Sequence, residues 1–237
     1  MPTRTQIKRI SCTPFCGAAP SPKAEAVILL HGLLRTHRSM TKMAIALRNE
    51  GYAVLNIGYR SRSASIEKLA ESVIAEALTH PTVAKATKIH FVTHSLGGIL
   101  VRQYLHENKI NKLGRVVMLG PPNQGSEVVD ALGNLALFKK MHGPSGNQLS
   151  TKMDAMPNTL GPVDFELGVI AGNRSINRIN SLMIKGADDG KVSVEHTKVE
   201  GMADHITIRA THPYLMRNRH AIRQTIHFLQ TGNFDSS

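Results

Sequence analysis

The chain has 237 residues, 41% apolar and 19% charged, which suits one α/β domain with a sizeable core and excludes a disordered chain. Its 29 basic residues against 17 acidic ones leave a formal charge of +12, a balance that favours nucleic acid, a membrane surface or an acidic substrate as partner. The basic residues are scattered, few aromatics interleave them and no nucleic-acid-binding signature occurs, so nucleic acid is set aside. No apolar run approaches the ~18 residues of a membrane span. Residues 1–19 lack the continuous apolar stretch of a signal peptide, which gives a cytoplasmic expectation. Cys12 and Cys16 are expected to be reduced thiols, because a bridge would close only a very short loop. No second cysteine pair or nearby histidine completes a metal site around them.

From residue 26 the chain alternates strand-like and helix-like patterns. Residues 26–30 (AVILL) form a continuously apolar run ending at His31-Gly32, as a strand buried on both faces would. Met40, Met43, Ala44 and Leu47 follow at helical spacing. Residues 52–57 (YAVLNI) predict a second strand. Ile66, Leu69, Ala70, Val73, Ile74, Ala77 and Leu78 keep one apolar helix face, with Pro81 just past its end. Residues 89–93 (IHFVT) predict a third strand and 97–107 a helix. Residues 116–119 (VVML) and 169–171 predict strands four and five, and residues 205–210 (HITIRA) a sixth. A closing helix is expected to carry Ile222, Ile226 and Leu229 on one face. This alternation predicts a mostly parallel sheet covered by helices on both faces. The expected organisation is one domain over residues 1–237, with 123–164 as a cap or lid-like insertion. That insertion is about forty residues, long for a connection, and its stretch 131–141 predicts a short helix over the active face.

Residues 89–104 (IHFVTHSLGGILVRQY) concentrate the chemistry. A buried strand ends, a serine appears, two glycines follow and a helix begins, which is the context of a nucleophile elbow. The motif here reads Thr93-His94-Ser95-Leu96-Gly97, with Thr93 where the first glycine of G-x-S-x-G stands. Ser95 is the candidate nucleophile. The Leu96 amide opens the next helix, where the macrodipole favours negative charge. The Leu33 amide, in the loop after the first strand, is the candidate second oxyanion donor. A serine needs a base and the base an orienting acid, in the chain order Ser, Asp/Glu, His for this arrangement. Asp189 and His212 satisfy that order, each in a loop after a predicted strand.

Taken together, HGLLRT at 31–36, THSLGG at 93–98, PPNQGS at 121–126, DDGKV at 188–192 and the His212 segment resemble small bacterial lipases and esterases of the α/β-hydrolase superfamily, over roughly residues 26–231. The resemblance implies the α/β-hydrolase fold, hydrolysis of acyl esters, and neither a metal nor an organic cofactor. In such lipases the acid often precedes the glycine of a D-G-x-V run, which maps onto Asp189 and leaves Asp188 as the competing carboxylate. An acyltransferase with the same three residues, or a catalytically silent binding scaffold, remains an alternative.

Other residues carry blander readings. His94 is expected to be structural or wall-lining, and His31 to buttress its loop. His205 is the fallback base, at the wrong end of its strand. Arg35, Arg38, Arg60 and Arg62 follow strands directly and are candidates for a cationic rim beside Ser95. Leu132, Leu135, Leu137, Phe138 and Met141, followed or flanked by Lys139 and Lys140, could roof an apolar acyl groove. That pattern predicts medium-length or long acyl esters and an anionic membrane surface as a partner.

Overall fold

A computed structural model describes residues 23–176 and 178–236 of the chain. Cys12, Cys16 and the segment 1–19 lie outside the described residues. In chain order the elements are β1 (Glu25–Leu30), α1 (Thr41–Asn49), β2 (Ala53–Ile57), α2 (Ile66–Thr79), α3 (Pro81–Ala84), β3 (Lys88–His94), α4 (Leu96–Glu107) and β4 (Leu113–Leu119). Then follow α5 (Glu127–Leu132), α6 (Ala136–Asn147), α7 (Met156–Thr159), β5 (Leu167–Gly172), α8 (Arg178–Met183), β6 (Asp204–Ile208) and α9 (Arg219–Thr231). The strands form one parallel sheet in the order β2-β1-β3-β4-β5-β6.

The strand alternation of side chains builds two cores. On β1, Ala26, Ile28 and Leu30 face a cluster with α2 and α4, while Val27 and Leu29 face a cluster with α1 and α9. The α2 stripe anticipated from the sequence is the buried face of that helix, except that Leu78 is only partly buried. The closing helix differs from expectation. Its buried stripe is Ala221, Gln224, Thr225, Phe228 and Leu229, whereas Ile222 and Ile226 are only partly buried. The reason lies in the tail. Phe234 packs on Phe228, and Gln224 exchanges hydrogen bonds with the Asp235 main chain, so a polar residue is satisfied inside. The sixth strand stops at Ile208 rather than 210, because the Ala210 amide turns back onto the Ile208 carbonyl. No helix among the described residues is long and apolar enough to cross a membrane.

Two features position the site. After β1 the sheet grows towards β2, and after β3 it grows the other way, so the chain ends of β1 and β3 open a crevice between diverging connections. Second, α4 lies very close to β1. A β-carbon on Gly97 would sit 2.7 Å from the Leu30 carbonyl oxygen and 3.0 Å from Leu30 Cβ. Gly97→Ala is therefore expected to cost about 1–3 kcal/mol of stability through overpacking. Urea denaturation measures it; an unchanged midpoint would show that α4 shifts freely.

Segment 123–164 is not one short helix over 131–141. It holds α5 and α6, separated at Gly133, and α7; α6 kinks at Gly143 (φ 67°) before Pro144. Its two ends are tied together by Arg102, a buried arginine of α4. Arg102 donates to the Asn123 carbonyl at 2.9 Å and to the Gly161 carbonyl at 2.7 Å. Burial lowers its pKa to about 10, and the carbonyl acceptors offset part of the cost of burying the charge. Asn123 continues the network to the Thr197 carbonyl.

Candidate active site

Ser95 occupies the turn between β3 and α4 with φ 52° and ψ −123°, a conformation that L-residues rarely adopt. Its amide is held by the Leu119 carbonyl of β4 at 2.9 Å, and its carbonyl accepts from Gly98. The strained backbone is over-determined by the sheet on one side and the helix on the other. Thr93 is fully buried in β3, between Leu30 of β1 and Met118 of β4, so the sheet accommodates the departure from glycine.

His212 and Asp189 converge on the serine. His212 Nε2 lies 3.0 Å from Ser95 Oγ, and His212 Nδ1 lies 2.7 Å from Asp189 Oδ2. The carboxylate can only accept, so Nδ1 carries the proton; in the neutral ring Nε2 then presents its lone pair to the serine hydroxyl. The Asp189 side chain is almost wholly buried. Its Oδ1 accepts from the Lys191 and Val192 amides, and its carbonyl accepts from the His212 amide at 2.9 Å. Asp188 points elsewhere. Its Oδ1 takes the Gly190 amide and the Ser181 hydroxyl, which makes it a brace of the loop. His205 bonds to Thr197 Oγ1 at 3.0 Å, near the amino end of β6.

The candidate oxyanion donors lie beside the serine. Leu96 opens α4, and the amides of Leu33 and Leu96 donate to no other backbone group among the described residues. The loop after β1 passes Ser95 closely, since a β-carbon on Gly32 would come 3.0 Å from Ser95 Cβ. Leu34, two residues on, has φ 58° and gives its amide to Ser61 Oγ at 3.2 Å. His31 is buried beneath this loop. It bonds to the Gly32 carbonyl, stacks on Tyr59 with centroids 4.2 Å apart, and has its pKa lowered by burial. His94 packs against the His212 ring at 4.7 Å and donates from Nε2 to the His212 carbonyl at 3.0 Å. Burial, reinforced by the His212 ring, drives the His94 pKa well down, so it stands neutral behind the other histidine.

A cavity of about 350 Å³ opens in front of Ser95 and His212. Leu33, Pro122, Val128, Val129, Phe138 and Leu149 give it apolar walls. Of the residues expected to roof a groove, Phe138 lines it, stacked on His142, whereas Leu135, Leu137 and Met141 are exposed. Sequence reasoning missed Ser126, whose hydroxyl donates to the Lys191 carbonyl at 2.7 Å and ties α5 to the Asp189 loop. Its place at the end of the PPNQGS stretch, just before α5, was its sequence signal. Of the four arginines, Arg35 lines this cavity, and Arg38 lines neither it nor the neighbouring one.

The six-stranded parallel sheet, the helices on its two faces and the strand-serine-helix turn form an α/β-hydrolase fold. Solved structures agree. The chain is similar to a lipase of Bacillus licheniformis in its mature form, at 17% identity over 89% of this chain and 94% of that one, with a TM-score of 0.71. It is also similar to a metagenomic carboxyl esterase, at 17% identity over 87% and 71% of the two chains, TM-score 0.64. A phospholipase of Legionella pneumophila matches at 19% identity and TM-score 0.59, over 73% of this chain and 45% of that one. No family model and no curated protein matches the sequence.

Proposed function

We propose that the protein is a serine hydrolase that cleaves carboxylic esters through an acyl-enzyme. The observation that carries this is the continuous chain from Ser95 Oγ through His212 to the buried Asp189, at the mouth of an apolar cavity. Ser95 Oγ attacks the ester carbonyl carbon as its proton passes to His212 Nε2. The carbonyl electron pair moves onto oxygen, where the Leu33 and Leu96 amides receive the negative charge; a donor of this kind is worth about 3 kcal/mol. Collapse expels the alcohol, which takes the proton from His212. Water then repeats the sequence and releases the acid. Asp189 holds the Nδ1 proton throughout and stabilises the charged ring.

The apolar cavity takes the acyl chain, and α5 and α6 act as its cap. The exposed Leu135, Leu137 and Met141 beside Lys139 and Lys140 form an apolar, basic rim suited to a lipid surface. Each methylene buried in the cavity contributes about 0.8 kcal/mol, roughly fourfold in kcat/KM. A panel of p-nitrophenyl esters is expected to rise from acetate through butyrate to octanoate, with fluorophosphonate labelling at Ser95. Equal or higher kcat/KM on acetate than on octanoate would reject the acyl pocket, and failure of both turnover and labelling would reject the hydrolase.

A further inference from the structure

A second cavity, of about 700 Å³, adjoins the one at Ser95. Residues 34–36 from the loop after β1, 59–63 from the loop after β2, and Lys140, Gly143 and Pro144 of α6 form its walls. Leu34 and Arg35 line both cavities, so the two meet at the loop beside the serine. Four of its residues are cations, Arg35, Arg60, Arg62 and Lys140, and none is acidic. All four are exposed, and none forms an ion pair with a carboxylate among the described residues. Lys191 adds a cation to the wall of the Ser95 cavity. Its pKa is lowered, first by desolvation at the wall and further by the Arg35 charge, with Asp189 opposing.

The walls are held in place rather than merely close. The Leu34 amide reaches Ser61 Oγ, the Ser145 hydroxyl donates to the Ser61 carbonyl, and Arg62 Nη1 donates to the Met141 carbonyl at 2.8 Å. Gly143 packs against the Arg62 main chain, where a β-carbon would sit 2.5 Å from the carbonyl oxygen. Three guanidinium groups and an ammonium carried on this fixed backbone, with no carboxylate partner among the described residues, match the several acceptor oxygens of a phosphate better than the two of a carboxylate.

We propose that this groove is the subsite for a phosphate group carried on the alcohol side of the ester, while the acyl chain occupies the apolar cavity. The proposal rests on Ser95 being the ester-cleaving nucleophile. The phosphate itself undergoes no reaction; it anchors and orients the ester. A second basic cavity, lined by Lys42, Arg174, Arg209 and Arg217, shares no lining residue with the Ser95 cavity and supplies a control.

The test compares kcat/KM for 1-butyrylglycerol and 1-butyrylglycerol 3-phosphate, both soluble, and for vesicles of an uncharged, ester-free and phosphate-free dialkyl lipid carrying either diacylglycerol or phosphatidic acid as substrate. The phosphorylated ester is expected to be preferred about tenfold or more, less so at high salt. Arg60→Gln/Arg62→Gln/Lys140→Gln should lower that ratio about tenfold or more, and Arg60→Gln alone, confined to an exposed side chain, by a smaller factor. Lys42→Gln/Arg217→Gln should leave the ratio in place. A groove-dependent preference with the soluble pair assigns a free phosphate ester; one confined to vesicles assigns a lipid headgroup. A wild-type ratio near one in both arms, or a ratio that falls equally in the control, overturns the subsite while ester hydrolysis stands. If neither ester is cleaved and Ser95 takes no fluorophosphonate, the hydrolase reading fails instead. Calorimetric binding of glycerol 3-phosphate then decides the groove separately: binding lost in the triple variant supports it, and no binding to the wild type overturns it.

Discussion

Ser95→Ala is expected to lower ester hydrolysis by about 10⁶-fold and to abolish fluorophosphonate labelling, with a melting temperature within a few degrees of the wild type. The size of the effect follows from what is lost. In the proposed mechanism the Oγ atom forms the covalent bond, and no other hydroxyl faces His212 Nε2 at 3.0 Å among the described hydrogen bonds. The fold should tolerate the change because alanine keeps the β-carbon against which Gly32 packs. Alanine also inherits the same positive φ, so the substitution neither relieves nor adds backbone strain. Only one partly buried hydrogen bond disappears, worth about 1 kcal/mol. Turnover retained in a folded Ser95→Ala protein would remove the acyl-enzyme mechanism outright.

Asp189→Asn is expected to lower kcat by about 10⁴-fold with little change in KM. The geometry gives a specific reason. Oδ1 of residue 189 accepts from the Lys191 and Val192 amides, so an asparagine would keep its oxygen there. Its NH₂ would then face His212 Nδ1, which would have to accept rather than donate. The ring proton would move to Nε2, and the nitrogen facing Ser95 could no longer take the hydroxyl proton. Asp188→Asn provides the comparison. An asparagine oxygen can still accept from Gly190 and Ser181, so the expected loss is a few-fold at most and arises through the loop. Steady-state kinetics on one p-nitrophenyl ester separates the two. A large loss at position 188 and a small one at 189 would transfer the orienting role to the neighbouring carboxylate.

Much of the fold is local in origin and can be read along the chain. Continuous apolar runs mark the strands, because a parallel sheet covered on both faces buries every residue of β1 from Ala26 to Leu30. The α2 stripe is explicit because a helix with one buried face must repeat near 3.6 residues. The serine turn is legible for a related reason. A strand, a small-residue turn and a helix leave a signature confined to residues 89–104, and Gly97 and Gly98 mark where α4 approaches the sheet.

Partnership is another matter, because periodicity records how buried a residue is and not what buries it. In sequence Gln224 reads like a solvent-facing residue of α9; in the fold the Asp235 main chain satisfies it while Phe234 packs on the neighbouring Phe228. Only the resemblance separated the adjacent aspartates at 188 and 189; in the structure Asp188 is held by Gly190 and Ser181 within its loop, whereas Asp189 reaches His212. Arg35, Arg38, Arg60 and Arg62 looked equivalent as residues following strands. The tertiary structure dropped Arg38 and added Lys140, eighty positions from Arg60, because α6 folds back against the loop after β2. The chain order of Ser95, Asp189 and His212 was open to reading from the sequence alone. Their approach to within hydrogen-bond distance depends on parallel pairing, which brings the ends of β1, β3, β5 and β6 to one edge of the sheet, and on strand order, which sets how far apart those ends lie; both are decided by packing between segments that carry no trace of one another in their own residues.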